Sequence, residues 1–170
     1  VWNYTEAEER VKSFEEIGID WIEEPFEPWE INNFTRLKQR TKTLIAAGER
    51  EWNTKSFQYL IDQKYVDVVG YDPAKSGGLT GFLDVIELVE KEGLLINAHT
   101  WSSAINTAVS LAAYGTTKNT LVFELKPEVN PMQHEIVETP LWHEDGYIAI
   151  PNAPGLGIEI KENVLEKYKF

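Results

Sequence analysis

Five charged or titratable residues stand where short apolar runs of the sequence end, at intervals of 23 to 27 residues. They are Glu23, Glu49, Asp72, His99 and Glu124. A strand, a turn and a return helix occupy about that many residues, because a parallel crossover needs about a dozen or more residues between its strands. One polar residue at the carboxyl end of each strand is how a β/α barrel builds its active site. The spacing therefore predicts a site that draws one side chain from each of five strands.

Glu23 and Glu49 are carboxylates at the ends of two consecutive predicted strands. Carboxylates on neighbouring strands can share Mg²⁺, which prefers oxygen ligands and keeps water molecules that a substrate can displace. A site of this kind usually has a third carboxylate. The alternative is that Glu23, the adjacent Glu24 and Glu49 are surface charges on loops. Their matching positions at two strand ends favour the metal site.

Asp72 and His99 follow the next two predicted strands. A carboxylate beside a histidine fixes the tautomer of the imidazole and raises its basicity, so the pair acts as a general base. A single histidine at a strand end is more often a polar loop residue. His99 is one of only three histidines, and it lies one βα unit after Asp72, which favours the base pair.

Glu124 follows the last predicted strand and is flanked by Phe123 and Leu125. Partial burial there would raise the pKa of its carboxyl group and let it donate a proton. An ion pair with Lys126 or another cation is the competing interpretation. The sequence alone does not separate the two.

Two further residues are candidates for substrate binding. Lys75 lies in the segment Lys75-Ser76-Gly77-Gly78, which precedes a predicted helix where backbone amides can hold an anion. The segment lacks the spacing of a phosphate-binding loop, so its glycines more simply let the chain turn close to the site. Trp101, two residues past His99, is the candidate wall of a pocket, although most aromatic residues at such positions serve packing.

Alternating helices and strands must hold these residues in place. Apolar periodicity predicts helices over 4–17, 29–40, 54–64, 80–92 and 102–114. Short apolar runs predict strands over 19–22, 43–47, 66–71, 94–96 and 121–123. This alternation indicates a parallel α/β sheet with right-handed crossovers.

The pattern changes after about Lys126. We expect residues 1–126 to form part of a β/α barrel, and residues 127–170 to form a loop-rich segment with a strand over 147–151 and a closing tail. A closed barrel has about eight strands, and five strands alone would leave unpaired edges. We therefore expect the C-terminal part of a barrel, or a half that another copy or a partner completes. The first residue, Val1, is not methionine, which suggests upstream sequence.

The bulk composition excludes several classes of protein. A length of 170 residues suits one compact domain, and a formal net charge of −12 argues against a nucleic-acid partner, which needs a basic stripe. The absence of cysteine excludes disulfides, thiolate metal sites and a cysteine nucleophile. No apolar run approaches the roughly 20 residues of a membrane span, and the N-terminus is no signal peptide. We expect a cytoplasmic protein without a membrane partner.

An ordered set of short segments resembles the mandelate racemase and muconate lactonizing branch of the enolase superfamily. The segments cover almost the whole chain, and the ordered set is far more specific than any one of them. They are Trp21-Ile22-Glu23-Glu24-Pro25, Gly48-Glu49, Asp72-Pro73-Ala74-Lys75-Ser76-Gly77-Gly78-Leu79-Thr80-Gly81, Asn97-Ala98-His99, Phe123-Glu124 and Ile150-Pro151-Asn152-Ala153-Pro154-Gly155-Leu156-Gly157-Ile158.

The resemblance implies a (β/α)₇β barrel of the TIM type, with a C-terminal tail that belongs to a capping domain built from both termini. It implies that Glu23 and Glu49 bind Mg²⁺, and that Glu23 is the ligand in place of Glu24 because the first glutamate of the Glu-Glu-Pro motif is the usual one. The family's third metal ligand, a lysine motif on the second strand and the N-terminal cap would lie upstream of Val1.

The reaction implied by the resemblance is abstraction of the proton alpha to a carboxylate, with Asp72 and His99 as the base pair of the mandelate racemase subgroup. Glu124 would hydrogen-bond the substrate carboxylate as it becomes an enolate. Loss of a β-hydroxyl group would make the enzyme an acid-sugar dehydratase, which we prefer. A second base on the opposite face would make it a racemase or epimerase.

The implied partner is a small carboxylate, with a sugar acid as the expected substrate, and we expect a homo-oligomer. Two other classes of function compete with the enzyme. One is a catalytically inactive fragment that lacks the N-terminal half, and the other is a protein that binds carboxylates without turnover. The presence of Glu49, Asp72 and His99 in register argues against the second.

Overall fold

Five parallel strands form a sheet in the computed structural model, which describes residues 1–169. The strands lie in the order β1-β2-β3-β4-β5, so each strand pairs with the next strand along the chain. Their bounds are Trp21–Glu23 (β1), Leu44–Ala47 (β2), Val68–Tyr71 (β3), Leu95–Ala98 (β4) and Thr120–Phe123 (β5). This curled sheet is half of a β/α barrel, which confirms the predicted fold class.

One helix precedes the sheet, and one follows each of the first four strands. Their bounds are Tyr4–Ile17 (α1), Ile31–Lys38 (α2), Thr54–Asp62 (α3), Gly78–Glu92 (α4) and Ala104–Tyr114 (α5). The five helices and five strands predicted from the apolar pattern are therefore confirmed, with ends that differ by a few residues. Within residues 1–169, no helix combines the length and apolar character needed to cross a bilayer.

The first helix shows how local sequence sets these bounds. Asn3 accepts a hydrogen bond from the backbone N–H of Glu6 at 3.0 Å, and the Glu6 carboxylate accepts one from the N–H of Asn3 at 3.1 Å. This capping box satisfies amides that have no partner inside the helix. Gly18 ends the helix in the left-handed conformation, with a φ of 75°. The chain then turns directly into β1.

The main core lies between the sheet and its helices. All four residues of β3 are buried, as expected for a strand covered on both faces. The Tyr71 ring packs between Phe57, at a centroid distance of 5.0 Å, and Phe82, at 4.4 Å. Full burial of a side chain such as Phe57 stabilises the fold by roughly 1.5–3 kcal/mol. The strand that leads to Asp72 is thus held at the centre of the core.

A second, smaller core fastens the C-terminal segment to the start of α5. Two short helices, Pro131–His134 (α6) and Glu162–Lys167 (α7), lie in this segment. Val137 forms an isolated antiparallel bridge with Ile160, and Val137 packs with Ala104. The segment therefore packs against α5, while the predicted domain boundary at residue 126 stays a prediction.

The predicted strand over 147–151 is wrong. Tyr147 forms only an isolated bridge with Glu144, across a tight turn in which Asp145 and Gly146 have φ values of 50° and 81°. Its side chain is 81% exposed. No strand within residues 1–169 pairs with 147–151, so the apolar residues there have no sheet to join.

Gly48 begins the turn that carries Glu49, and its position leaves no room for a side chain. Its φ is 136°, and an added Cβ atom would lie 2.6 Å from the carbonyl oxygen of Gly70. We expect Gly48→Ala to lower the free energy of unfolding by about 3–5 kcal/mol, because backbone strain adds to the clash. Urea unfolding of the complete protein measures this loss.

Gly93 provides the matched control. Its φ of 68° is also left-handed, but no atom lies within 4 Å of an added Cβ. Gly93→Ala should cost only about 1–2 kcal/mol, from strain alone. Equal losses in the two variants would contradict the importance of the close approach to Gly70.

Candidate active site

The five residues singled out by spacing lie at one edge of the sheet. Glu23 is the last residue of β1, and Asp72, His99 and Glu124 directly follow β3, β4 and β5. Glu49 lies two residues past the end of β2. The strands are parallel, so these positions all fall at the carboxyl edge. The roles assigned to these residues stay predictions, and the geometry bears on them as follows.

Asp72 and His99 are hydrogen-bonded. Nδ1 of His99 lies 2.8 Å from Oδ2 of Asp72, whose side chain is 2% exposed. The other oxygen, Oδ1, accepts hydrogen bonds from the backbone N–H of Ala74 at 2.9 Å and from the Asn106 amide at 3.1 Å. Burial alone would raise the pKa of Asp72, but these hydrogen bonds, that of His99 foremost, lower it below its ordinary value. Asp72 therefore stays ionised.

An ionised Asp72 fixes the proton arrangement on His99. A carboxylate can only accept, so Nδ1 of His99 must donate, and Nε2 is left to take up a proton. The bond to Asp72 raises the pKa of His99, although burial opposes it, and the nearby carboxylates of Glu49 and Glu124 raise it further. Nε2 lies 3.3 Å from Oε2 of Glu49. This arrangement of His99 is the one expected of an oriented base, and it lies beside a proposed metal ligand.

The carboxylates of Glu23, Glu49 and Glu124 repel one another. Burial, followed by the charges of Glu124 and Glu49, raises the pKa of Glu23 to about 7. The residue as a whole is exposed, so water screens part of this repulsion. Among residues 1–169 no group of three or more acidic, histidine or cysteine side chains is placed to hold a metal ion. Two oxygen donors beside an excess of negative charge fit part of the coordination shell of a hard cation such as Mg²⁺.

Glu124 is partly buried, and burial raises the pKa of its carboxyl group although His99 and Trp101 lower it. Its Oε2 atom is buried without a hydrogen-bond partner among the described residues. Lys126 lies 3.8 Å from Glu128 in an ion pair, and does not pair with Glu124. The geometry therefore favours the proton-donating interpretation over the ion pair.

Glu24 points into a different set of contacts from Glu23. Its Oε2 atom lies 2.7 Å from Nε of Arg50, and its side chain is only 10% exposed. Nη1 of Arg50 lies 2.7 Å from Oε2 of Glu27. Glu24 is therefore neutralised by an arginine, which supports Glu23 as the ligand of the Glu-Glu-Pro motif.

The two candidate substrate-binding residues differ in their surroundings. Nζ of Lys75 donates to the carbonyl oxygen of Glu49 at 3.1 Å and lies 3.8 Å from Oδ2 of Asp72, so its charge is partly committed to the protein. Trp101 is 45% exposed, and its ring stacks on His99 at a centroid distance of 6.2 Å. Trp101 is thus well placed to form a wall beside the proposed base.

Sequence reasoning missed Arg50 and Asn106. Arg50 adjoins Glu49, and this proximity is a signal that could have drawn attention to it. Asn106 lies in the first turns of α5, 34 residues from the Asp72 carboxylate that it contacts. No local pattern indicates that contact, because it depends on how α5 packs against the end of β3.

The C-terminal segment contains a groove that lies apart from these residues. The groove is lined mainly by apolar side chains such as Leu141, Trp142 and Ile148. Its titratable lining residues are Glu138 and Glu159. No histidine lines this groove, so neither glutamate forms a pair like that of Asp72 and His99. The cluster at the strand ends is therefore the candidate active site.

Known proteins share this fold. Residues 1–164 match the family model described as Enolase C-terminal domain-like. The chain belongs to the enolase superfamily. This finding confirms the resemblance drawn from the sequence motifs.

Curated members of the superfamily are similar over nearly the whole chain. A D-galactarolactone cycloisomerase of Agrobacterium fabrum is 27% identical over 161 residues, or 90% of this chain and 43% of the relative. A D-gluconate dehydratase of Thermoproteus tenax is 28% identical over 170 residues, or 99% of this chain and 34% of the relative. The chain thus spans less than half the length of these relatives.

Solved structures of the superfamily show the same relationship. The 3,6-anhydro-D-galactonate cycloisomerase of Zobellia galactanivorans matches with a TM-score of 0.90 at 29% identity, over 98% of this chain and 47% of that one. A superfamily member from Polaromonas sp. JS666 matches with a TM-score of 0.88 at 28% identity, over 98% and 44%. The sheet and helices are therefore the C-terminal barrel portion of the enolase-superfamily fold.

Burial of the Glu23 carboxylate, together with its repulsion by Glu124 and Glu49, predicts a pH-dependent loss of stability in the metal-free protein. A folded pKa of Glu23 raised to about 7 means that this residue's contribution to stability is full below its unfolded pKa of 4.5 and is lost as the pH rises towards 7. Glu23→Gln should remove that loss. In EDTA, the variant should therefore be more stable than the unmodified protein at pH 7.5 and no more stable at pH 4.

Urea unfolding at the two pH values measures the difference, and Glu9→Gln is the control because Glu9 lies exposed on α1. The control should show little difference between the two pH values. A Glu23→Gln variant that is less stable than the unmodified protein at pH 7.5 would contradict the raised pKa of Glu23.

Proposed function

We propose that the complete protein removes the proton alpha to the carboxylate of a sugar acid and then eliminates water, as a dehydratase. The observation that carries the proposal is the hydrogen-bonded pair of Asp72 and His99, which lies beside the carboxylates of Glu23, Glu49 and Glu124. The pair offers an oriented base, and the three carboxylates offer cation ligands and a proton donor. The dehydratases among the relatives support a sugar acid as the substrate class.

His99 is the proposed base. Its Nε2 atom would take the alpha proton, because its Nδ1 proton is held by Asp72 at 2.8 Å. The buried carboxylate of Asp72 would stabilise the imidazolium that forms. After abstraction, His99 would return the proton to a β-hydroxyl group, and the C–O bond would break to release water. The electron pair of the former C–H bond becomes the new carbon–carbon double bond.

Glu23 and Glu49 are the proposed ligands of Mg²⁺. When bound, the cation supplies Lewis-acid stabilisation of the negative charge that develops on the substrate carboxylate. The mutual repulsion of Glu23 with Glu49 and Glu124 supports this assignment, since a cation nearby would relieve it. The dependence of the protein on Mg²⁺ is part of the proposal.

Glu124 and Trp101 would act on the substrate itself. A carboxyl group whose pKa is raised by burial can keep its proton and donate a hydrogen bond to the substrate carboxylate. That hydrogen bond would strengthen as the enediolate forms. Trp101 would wall the pocket beside His99, and Lys75 would contribute positive charge near the same strand ends.

The complete protein would supply the rest of the site. The chain spans less than half the length of the first relatives, and residues 1–169 hold no full set of metal ligands. We propose that a third carboxylate ligand and a cap over the site come from the rest of the protein, and that residues 127–170 return to that cap. We further propose a homo-oligomer.

A cycloisomerase is the second candidate, because relatives of this kind match the chain in sequence and in structure. Cycloisomerisation can begin with the same abstraction of an alpha proton by His99. It differs in that the leaving oxygen stays within the same molecule, so no water is lost. Mass spectrometry of the products from a panel of sugar acids and their lactones separates the two outcomes.

The role of His99 predicts the effect of its removal. His99→Asn should slow exchange of the alpha proton with D₂O by at least about 10²–10⁴-fold, because the substrate loses its general base. Binding of Mg²⁺ should persist, since Glu23 and Glu49 are unchanged. Proton NMR of substrate in D₂O measures the exchange, and calorimetry measures the binding of the cation.

His143→Asn is the matched control, because His143 is exposed in the C-terminal segment. It should exchange the alpha proton at the unmodified rate. Exchange that persists in His99→Asn at this rate would remove His99 from the mechanism.

A further inference from the structure

We propose that Arg50 is a positioning residue that fixes the separation of Glu23 and Glu49, the two proposed cation ligands. The inference rests on the proposed function, because it assigns Arg50 a part in that same site. Arg50 would touch neither the cation nor the substrate. It would act through the two loops that carry the ligands.

The contacts of Arg50 join the loops that follow β1 and β2. Its Nε atom lies 2.7 Å from Glu24, and its Nη1 atom lies 2.7 Å from Glu27. The planar guanidinium group holds two carboxylates in a fixed direction, which an ammonium group cannot do in the same way. One side chain of the loop after β2 thus binds two carboxylates of the loop after β1.

Both partners of the ion pair between Arg50 and Glu24 lie next to a proposed ligand in the sequence. Arg50 adjoins Glu49, and Glu24 adjoins Glu23. Glu24 has a φ of 38°, in the left-handed region, and its N–H donates to the carbonyl oxygen of Ala46 at 2.9 Å. The orientation of Glu24 therefore fixes the peptide plane that follows Glu23. A change in the ion pair between Arg50 and Glu24 would therefore move Glu23 relative to Glu49.

The turn that carries Arg50 is itself anchored on its other side. The N–H of Glu51 donates to the carbonyl oxygen of Gly48 at 2.9 Å and closes the turn. Lys75 donates to the carbonyl oxygen of Glu49 at 3.1 Å, and the Ser76 hydroxyl donates to that of Glu51 at 2.6 Å. The turn is held between the loops that follow β1 and β3. The backbone that carries Arg50 is therefore fixed on both sides.

A positioning role and a simple charge role have opposite consequences. Arg50 carries a positive charge near the proposed cation site, so its loss would tighten cation binding if only Coulomb forces mattered. If Arg50 fixes the ligand geometry, its loss would weaken binding. The sign of the change therefore tells the two roles apart.

The test measures Mn²⁺ binding to the complete protein by electron paramagnetic resonance, in parallel with urea unfolding. Arg50→Met should raise the dissociation constant of Mn²⁺ about 10-fold or more, in the range seen when groups that orient metal ligands are removed. Arg50→Lys should also weaken binding, because it keeps the charge but not the fork. If Arg50→Met does not fold, Arg50→Lys still tests the proposal.

Arg40→Met is the matched control. Arg40 forms an ion pair of 2.9 Å with Glu8, but it precedes β2 and so lies at the opposite edge of the sheet. It should leave the Mn²⁺ affinity unchanged and cost little stability, because both partners of this ion pair are exposed. If the unmodified protein does not bind Mn²⁺, the proposed cation site fails, and this inference fails with it. If it binds, and both Arg50 variants bind as tightly or more tightly, the positioning role alone is overturned.

Discussion

The parallel alignment of five consecutive strands is the constraint on which the rest of the structure depends. Each helix returns the chain to the same side, so every strand begins at one edge of the sheet and ends at the other. Backbone hydrogen bonds hold neighbouring strands about 4.8 Å apart. At that spacing, carboxylates and an imidazole that are far apart in the chain interact directly. The contact of His99 with both Asp72 and Glu49 is the clearest result.

The same alignment concentrates negative charge at the carboxyl edge of the sheet. Some of these carboxylates have partners that balance their charge, and others do not. Asp72 is satisfied by His99, Ala74 and Asn106, so it remains ionised although it is buried. Glu24 is satisfied by Arg50. Burial raises the pKa values of Glu23, Glu24 and Glu124, but only Glu24 has an arginine that opposes the shift, and one oxygen of Glu124 is buried without a partner in the described residues. The uncompensated groups are those that the proposed mechanism needs for a cation and a substrate.

Stability and function therefore rest on different parts of the chain. The aromatic core around Tyr71 and the smaller core beneath the C-terminal segment supply the apolar burial. The polar residues at the carboxyl ends of the strands include carboxylates that would repel one another without a ligand. The strands β1 and β5 are the edges of the described sheet. The chain belongs to the enolase superfamily and spans less than half the length of its first relatives, so we propose that further strands of the complete protein cover these edges.

The sequence by itself determined the order of the elements and the edge at which the five polar residues meet. This was possible because apolar periodicity and crossover length are local properties that the parallel sheet translates directly into position. The sequence misassigned 147–151, because an apolar segment becomes a strand only where another strand is available to pair with it. Only the tertiary structure decided that Arg50 binds Glu24 and that Asn106 binds Asp72. Such contacts depend on distances and directions that are set by the packing of helices and loops. The spacing of residues along the sequence does not reveal them.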